Sequence, residues 1–170
     1  MNEERTIRRD RMRFKKNKLS ANLTLLAILF DVLYFVNIYQ NDAGSYYHNY
    51  MIGISVVYNL IFLLTAFLSE EGVKNYKKMY SIPLLILGVI QIVRIFILPL
   101  AAHTYIDPEA GFVEPPMGSG QFTYLVVLLI ASAACLVAAA VINYFKCTAL
   151  ESHMKMLEGR PEGALAGKSA

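Results

Sequence analysis

The stretch ANLTLLAILFDVLYFVNIY, residues 21–39, decides the fold class of this 170-residue chain. It is long enough to cross a bilayer, because about 20 helical residues rising 1.5 Å each cover a hydrocarbon core of roughly 30 Å. Asp31 stands in its middle and opposes insertion. The 11 Leu, Ile, Val and Phe residues between positions 23 and 38 each favour insertion by roughly 0.3 to 0.6 kcal/mol, which outweighs about 3 kcal/mol for one central Asp. We therefore predict a membrane span whose Asp31 face turns away from lipid.

Three further apolar blocks of similar length follow at residues 51–68, 82–102 and 122–145. Hydrophobic residues make up 56% of the chain and charged residues 17%, and most of the charges lie outside these blocks. This apolar share exceeds the usual share of a soluble globular domain. Four blocks of spanning length predict an all-α membrane protein with four transmembrane helices.

Basic residues alternate between the segments that join these blocks. Eight Lys or Arg precede the first block, none lies in 40–50, three lie in 69–80, none lies in 103–121, and four follow the last block. Since Lys and Arg are enriched in cytoplasmic segments, the alternation predicts both termini in the cytoplasm and an antiparallel bundle of the four helices. We expect a multi-pass protein of the cell (plasma) membrane.

This threading divides the chain into a basic cytoplasmic arm (1–20), a transmembrane domain (21–146) and a cytoplasmic tail (147–170). The arm is expected to serve orientation and solubility, and the alternative is a short amphipathic segment on anionic lipid, because Lys and Arg clusters beside a span bind negative headgroups. A long outer loop occupies 103–121, and Gly72 is expected to end the second helix. The tail is expected to continue the last helix and then to become disordered where Gly and Pro accumulate.

Polar residues within the four blocks fall at one depth. Asp31 is about 11 residues into the first span and Arg94 about 12 residues into the third, so both lie roughly 16 to 18 Å from the cytoplasmic edge. Asn59, Gln91 and Ser132 fall near the same level. Ionisable groups inside a membrane are costly unless they face the protein interior or find a partner. We therefore predict an intramembrane polar network of Asp31, Asn59, Gln91, Arg94 and Ser132.

Three interpretations of the charged residues remain open at this point. The first is a structural ion pair between Asp31 and Arg94 that fixes the register of the helices. The second is a coupling site at which Asp31 exchanges protons or cations during transport, although a neighbouring arginine holds a carboxylate ionised and keeps its own charge. The third gives the two residues independent roles, including contact with a membrane helix of another protein.

The sequence offers no motif for enzymatic chemistry. A P-loop, an HExxH helix, a nucleophile elbow and paired carboxylates within a span are all missing from it. We therefore expect a protein that is not an enzyme and that has neither a cofactor nor a metal site. The basic arm stands beside a membrane span, so we expect no nucleic-acid partner.

Packing faces and polar ends are what the chain offers for function. They favour a non-enzymatic accessory, assembly or regulatory subunit of a larger membrane complex, whose partner is another membrane protein or a second copy of the chain. The alternative is a small self-associating solute or ion transporter that uses Asp31 at the midplane. Four short helices with a carboxylate in the first resemble, in outline, the small multidrug resistance transporters. The fixed orientation, the long polar ends and Arg94 depart from that pattern.

Overall fold

A computed structural model describes residues 16–39, 49–104 and 117–158 of the chain, and these residues are almost entirely helical. Five α-helices and one 3₁₀ turn follow one another. They are α1 (Lys18–Tyr39), α2 (Asn49–Lys74), the 3₁₀ turn (Lys78–Tyr80), α3 (Ser81–Ile97), α4 (Pro99–Thr104) and α5 (Ser119–Glu158). Four helical segments are long and apolar enough to cross a membrane. In this part of the chain, the prediction of a helical protein with four helices of membrane-spanning length and apolarity is confirmed, and this suggests a multi-pass membrane protein.

The third span is divided near its end. Pro99 lacks the N–H group that would continue the hydrogen-bond ladder, and its ring crowds the preceding turn. The helix α3 ends with the Leu98 amide donating to the Arg94 carbonyl at 3.4 Å, and α4 begins at Pro99. Because the break follows Arg94 by one turn, it lies next to the charged residue of this segment.

The second helix passes through Gly72, so the expectation that this glycine ends the helix is wrong. The helix ends at Lys74, and Tyr76, two residues later, has a φ of 57°, which lies in the left-handed region. The amide of Lys77 donates to the Gly72 carbonyl at 3.1 Å and that of Tyr76 to the Val73 carbonyl at 3.2 Å, which together form a Schellman motif. Gly72 is needed for space, since a Cβ atom there would overlap the ring of Tyr80.

The last helix extends well beyond the predicted span at 122–145. Its 40 residues run from Ser119 to Glu158 and include the first part of the predicted tail. The predicted disorder of the tail falls on residues 159–170, outside the described residues. Most of the basic arm, residues 1–15, and residues 105–116 of the predicted outer loop also lie outside them.

The longest helix, α5, forms the main packing partner within the bundle, because both α1 and α3 lie along it. Gly88 of α3 faces α5 so closely that a Cβ atom there would stand 2.9 Å from a methyl carbon of Val137. The helix α2 is the least covered. Of its most apolar stretch 22% is buried, against 44% for α5. The bundle therefore has one central helix and one peripheral helix.

Candidate functional site: a buried polar cluster between four helices

The five polar residues predicted from the sequence lie together in the interior of the bundle. Each spanning segment contributes at least one of them: Asp31 from α1, Asn59 from α2, Gln91 and Arg94 from α3, and Ser132 from α5. All five are buried, and Arg94, at 6% exposure, is the most accessible. Hydrogen bonds connect them into one set, which we call the central cluster.

Asp31 and Arg94 form the charged core of the central cluster. The Arg94 Nη1 atom donates to Asp31 Oδ1 at 2.7 Å, and the Gln91 Nε2 atom donates to the same oxygen at 2.8 Å. The second guanidinium nitrogen, Nη2, donates to the amide oxygen of Asn59 at 2.8 Å. These distances are typical of charge-assisted hydrogen bonds. One arginine thus connects α1, α2 and α3.

Neutral groups complete the hydrogen bonding around this core. Gln91 Nε2 lies 3.4 Å from the hydroxyl of Ser132, which itself donates to the Ala27 carbonyl of α1 at 3.0 Å. The Asn59 amide donates to the Ser55 carbonyl one turn earlier, at 2.7 Å. The polar atoms of the cluster are therefore used on one another and on nearby backbone, as hydrocarbon surroundings require.

Two tyrosine rings contact the Arg94 guanidinium. Its central carbon lies 4.4 Å from the ring centroid of Tyr34 and 4.8 Å from that of Tyr58. Cation–π contacts of this kind are strongest where water is excluded. Tyr34 follows Asp31 by three residues, so helical spacing places both on one face. No spacing rule points to Tyr58, and sequence reasoning missed its role.

A small crevice beside α2 and α3 reaches the central cluster from the side. It has a volume of about 150 Å³, and Arg94 forms part of its wall together with Ser55 and Tyr58. The remaining walls are apolar and come from Ile54, Ile90, Ile97 and Leu98. The seam between α2 and α3 is therefore incompletely filled beside Arg94.

A second buried polar group, missed by the sequence analysis, lies where α1 and α3 begin; we call it the end cluster. The Asn143 side chain of α5 donates to the Ser81 hydroxyl at 2.9 Å and to the Lys77 carbonyl at 3.2 Å. It accepts a bond of 3.2 Å from the Asn17 amide, and Lys146 donates to the oxygen of Asn17 at 3.0 Å. Asn17 and Asn143 are both fully buried.

Hydrogen bonds to backbone carbonyls connect the end cluster to the segments that surround it. The amide N–H of Asn17 donates to the Lys74 carbonyl at 3.0 Å, and the Cys147 thiol donates to the Tyr76 carbonyl at 3.2 Å. The Ser20 hydroxyl of α1 donates to the Ala139 carbonyl of α5. The segment before α1, the turn after α2 and the middle of α5 are thereby held together.

Within residues 16–39, 49–104 and 117–158, no group of three His, Cys, Asp or Glu side chains is arranged to hold a metal ion. His103 instead stacks on Phe122, with the ring centroids 4.6 Å apart, and its Nδ1 lies 3.0 Å from the Met117 carbonyl.

Comparison with known proteins found no match: no family model, no curated protein and no solved structure matches this chain.

Proposed function

We propose that the chain is a plasma-membrane protein whose four spans run antiparallel with both termini in the cytoplasm. The 8, 0, 3, 0, 4 distribution of basic residues along the chain supports this orientation. Reporter fusions test it. A reporter active only in the cytoplasm should be active at the C-terminus and inactive when inserted within residues 105–116. The reverse pattern would contradict the proposal.

Within that membrane, the chain acts as a non-enzymatic accessory, assembly or regulatory subunit of a larger complex. The observation that carries this proposal is the closed bonding of the central cluster. Asp31 receives two short hydrogen bonds, and the Arg94 guanidinium contacts two aromatic rings. Groups bonded in this way fix the positions of helices. A coupling carboxylate, by contrast, has to change its partner during each transport cycle.

The helix α2 is the surface we assign to the partner, which is another membrane protein or a second copy of the chain. It is the least covered spanning helix, and its outward side chains are large and apolar. Leu60, Leu64 and Leu68 lie one turn apart along this surface, and each is at least 58% exposed. A helix of this kind can be covered by a neighbouring membrane helix through close packing alone.

Site-specific photocrosslinking in intact membranes tests this assignment. A photoreactive residue at Leu60 or Leu64 should give one discrete protein adduct, whereas the same residue at Val89 of α3 or Val127 of α5, which are similarly exposed, should give lipid adducts. A stoichiometric larger partner supports a subunit, and an adduct with a second copy supports a homo-oligomer. Equal adducts from all four positions would contradict a partner surface on α2.

The crevice between α2 and α3 favours a second candidate, a small transporter that uses Asp31 at the midplane. Arg94 lines the crevice and binds Asp31 directly, so a solute there would be one residue away from the carboxylate. In transport, water has to enter the crevice. An Ile97→Cys variant, which lines it, should then react with a small charged thiol reagent faster than Ile86→Cys. Equal, slow reaction of both would contradict transport.

A further inference from the structure

A large groove lies between α3 and α5, beside the 3₁₀ turn. It has a volume of about 620 Å³, roughly four times that of the crevice beside Arg94. The groove begins at the 3₁₀ turn before α3 and is open to the surroundings of the bundle. The residues that line it include Lys78, Ile82, Leu85, Val141, Tyr144 and Phe145.

The walls of the groove are apolar along most of its length. Ile82 and Leu85 from α3 and Val141 from α5 are each at least 40% exposed, so they present large hydrocarbon surfaces. A cavity of roughly 150 Å³ holds a benzene ring, and this groove is several times larger. It therefore has room for an extended hydrocarbon chain, and its open side faces the lipid around the two helices.

The mouth of the groove is polar and carries a lysine that is paired with a carboxylate. The Lys78 Nζ atom lies 4.8 Å from the centroid of the Tyr144 ring and 3.3 Å from the Glu151 carboxylate. Both partners of this ion pair are solvent-accessible, with side-chain exposures of 36% and 54%. Exposed pairs of this kind are worth little. The lysine can therefore exchange its carboxylate for another anion at small cost.

We propose that this groove binds one phospholipid with an anionic headgroup, whose acyl chain lies along α3 and α5 and whose phosphate binds Lys78. The arrangement matches the two parts of such a molecule: a hydrocarbon channel followed by a cation and an aromatic ring at one end. Tyr rings are enriched at the level of lipid headgroups, and a lysine near the membrane surface attracts anionic lipid. Glu151 competes with the phosphate for Lys78.

Native mass spectrometry of the full chain tests this proposal. The chain is purified in mild detergent and mixed with equal amounts of phosphatidylglycerol and phosphatidylcholine that carry the same acyl chains. We expect one retained phosphatidylglycerol per chain. Lys78→Gln should lower its retention about fivefold, the effect of one lysine near an anionic surface. Glu151→Gln should raise retention, because it removes the competing carboxylate.

Matched variants separate a specific site from general attraction. Lys74→Gln changes the charge equally, but Lys74 pairs with Glu70 and Glu71 and does not line the groove, so retention should stay unchanged. Leu85→Trp should block the groove and reduce retention. Ile86→Trp, its exposed neighbour outside the groove, should not.

Three outcomes would overturn the proposal. Equal retention of the two lipids would show that the headgroup charge is not read. An equal loss in Lys74→Gln and Lys78→Gln would reduce the effect to diffuse attraction by basic residues. Equal retention in Leu85→Trp and Ile86→Trp would show that no acyl chain occupies the groove. A thermal unfolding curve for each variant ensures that a loss of retention comes from a folded protein.

Discussion

The central cluster and the end cluster both bury polar groups between helices, but they use different chemistry. The central cluster pairs two opposite charges, and most of its hydrogen bonds join side chains of different helices. The end cluster relies on two asparagines that bond to each other, to a serine hydroxyl and to one backbone carbonyl of the turn. Lys146 binds the side chain of Asn17 and brings a positive charge to its edge.

The two clusters should differ in how much stability the protein loses when one member is removed. An orphaned charge inside hydrocarbon is expensive, so each charged residue of the central cluster depends strongly on the other. An orphaned amide costs less, and the end cluster lies beside the turn after α2 and the segment before α1. We therefore expect the central cluster to determine which helix faces meet, and the end cluster to hold the turn and the segment before α1 in place. The four predictions below test this distinction, beginning with the largest expected effect.

Removal of the carboxylate should destabilise the protein most. Asp31→Leu leaves Arg94 buried without its counter-ion, and we expect a loss of about 3 to 5 kcal/mol in the free energy of unfolding. Asp31→Leu combined with Arg94→Leu should partly restore stability, because no unpaired charge remains. The yield of folded protein and thermal unfolding in detergent measure both. If the double variant loses as much stability as the two single variants together, Asp31 and Arg94 do not stabilise the protein as a pair.

Loss of the central amide of the end cluster should have a smaller and more local effect. Asn143→Leu removes bonds to Asn17, Ser81 and the Lys77 carbonyl, and we expect a loss of about 2 kcal/mol. Hydrogen exchange should rise in residues 75–80. Thr148→Ala, which removes a hydroxyl bonded within α5, is the control. Increased exchange around Arg94 to the same extent would contradict a separate role for the end cluster.

The tyrosine rings that contact Arg94 should contribute less to stability than Asn143 does. Tyr58→Leu removes one ring from the guanidinium, and we expect a loss of about 1 to 2 kcal/mol. Tyr58→Phe keeps the ring, and the hydroxyl that it removes is buried with no hydrogen-bond partner in the described part of the chain. It should therefore leave the unfolding temperature unchanged or raise it. Equal losses in both variants would mean that the ring does not act through Arg94.

Ser132, a neutral member of the central cluster, should contribute least to stability. Ser132→Ala removes one hydroxyl that bonds Ala27 and Gln91. Hydrogen bonds between membrane helices are worth about 0.6 kcal/mol on average, so a small shift in the unfolding temperature is expected. Ser152→Ala, at an exposed position of the same helix, is the control. A loss comparable with that of Asp31→Leu would show that neutral and charged members contribute alike.

Much of the fold and part of the site follow from the sequence. The length of the apolar blocks predicts the four spanning helices, because insertion depends on a local sum of side-chain transfer energies. Depth along each helix follows from its rise per residue, and so the sequence brings Asp31, Asn59, Gln91, Arg94 and Ser132 to one level. A charge inside an apolar block is conspicuous, since it is expensive without a partner.

Other parts of the site depend on how the helices are rotated against one another. Tyr58 could not be recognised, because a tyrosine in a span also suits a lipid-facing or interfacial position. Asn17 and Asn143 are 126 positions apart, and each is unremarkable beside the charged residues around it. The exact end of α2 was missed for a related reason: Tyr76, and not the more suitable Gly72, adopts the left-handed conformation.

The sequence by itself determined that this chain is a helical membrane protein and that its two intramembrane charges need partners. Both are properties of short segments, since hydrocarbon penalises charge and open backbone wherever they occur. The tertiary structure decided that one arginine joins three helices and contacts two tyrosine rings, and that a second cluster holds the turn after α2. These depend on distances of a few ångströms between helices, which only the packing of small and large side chains across their interfaces sets.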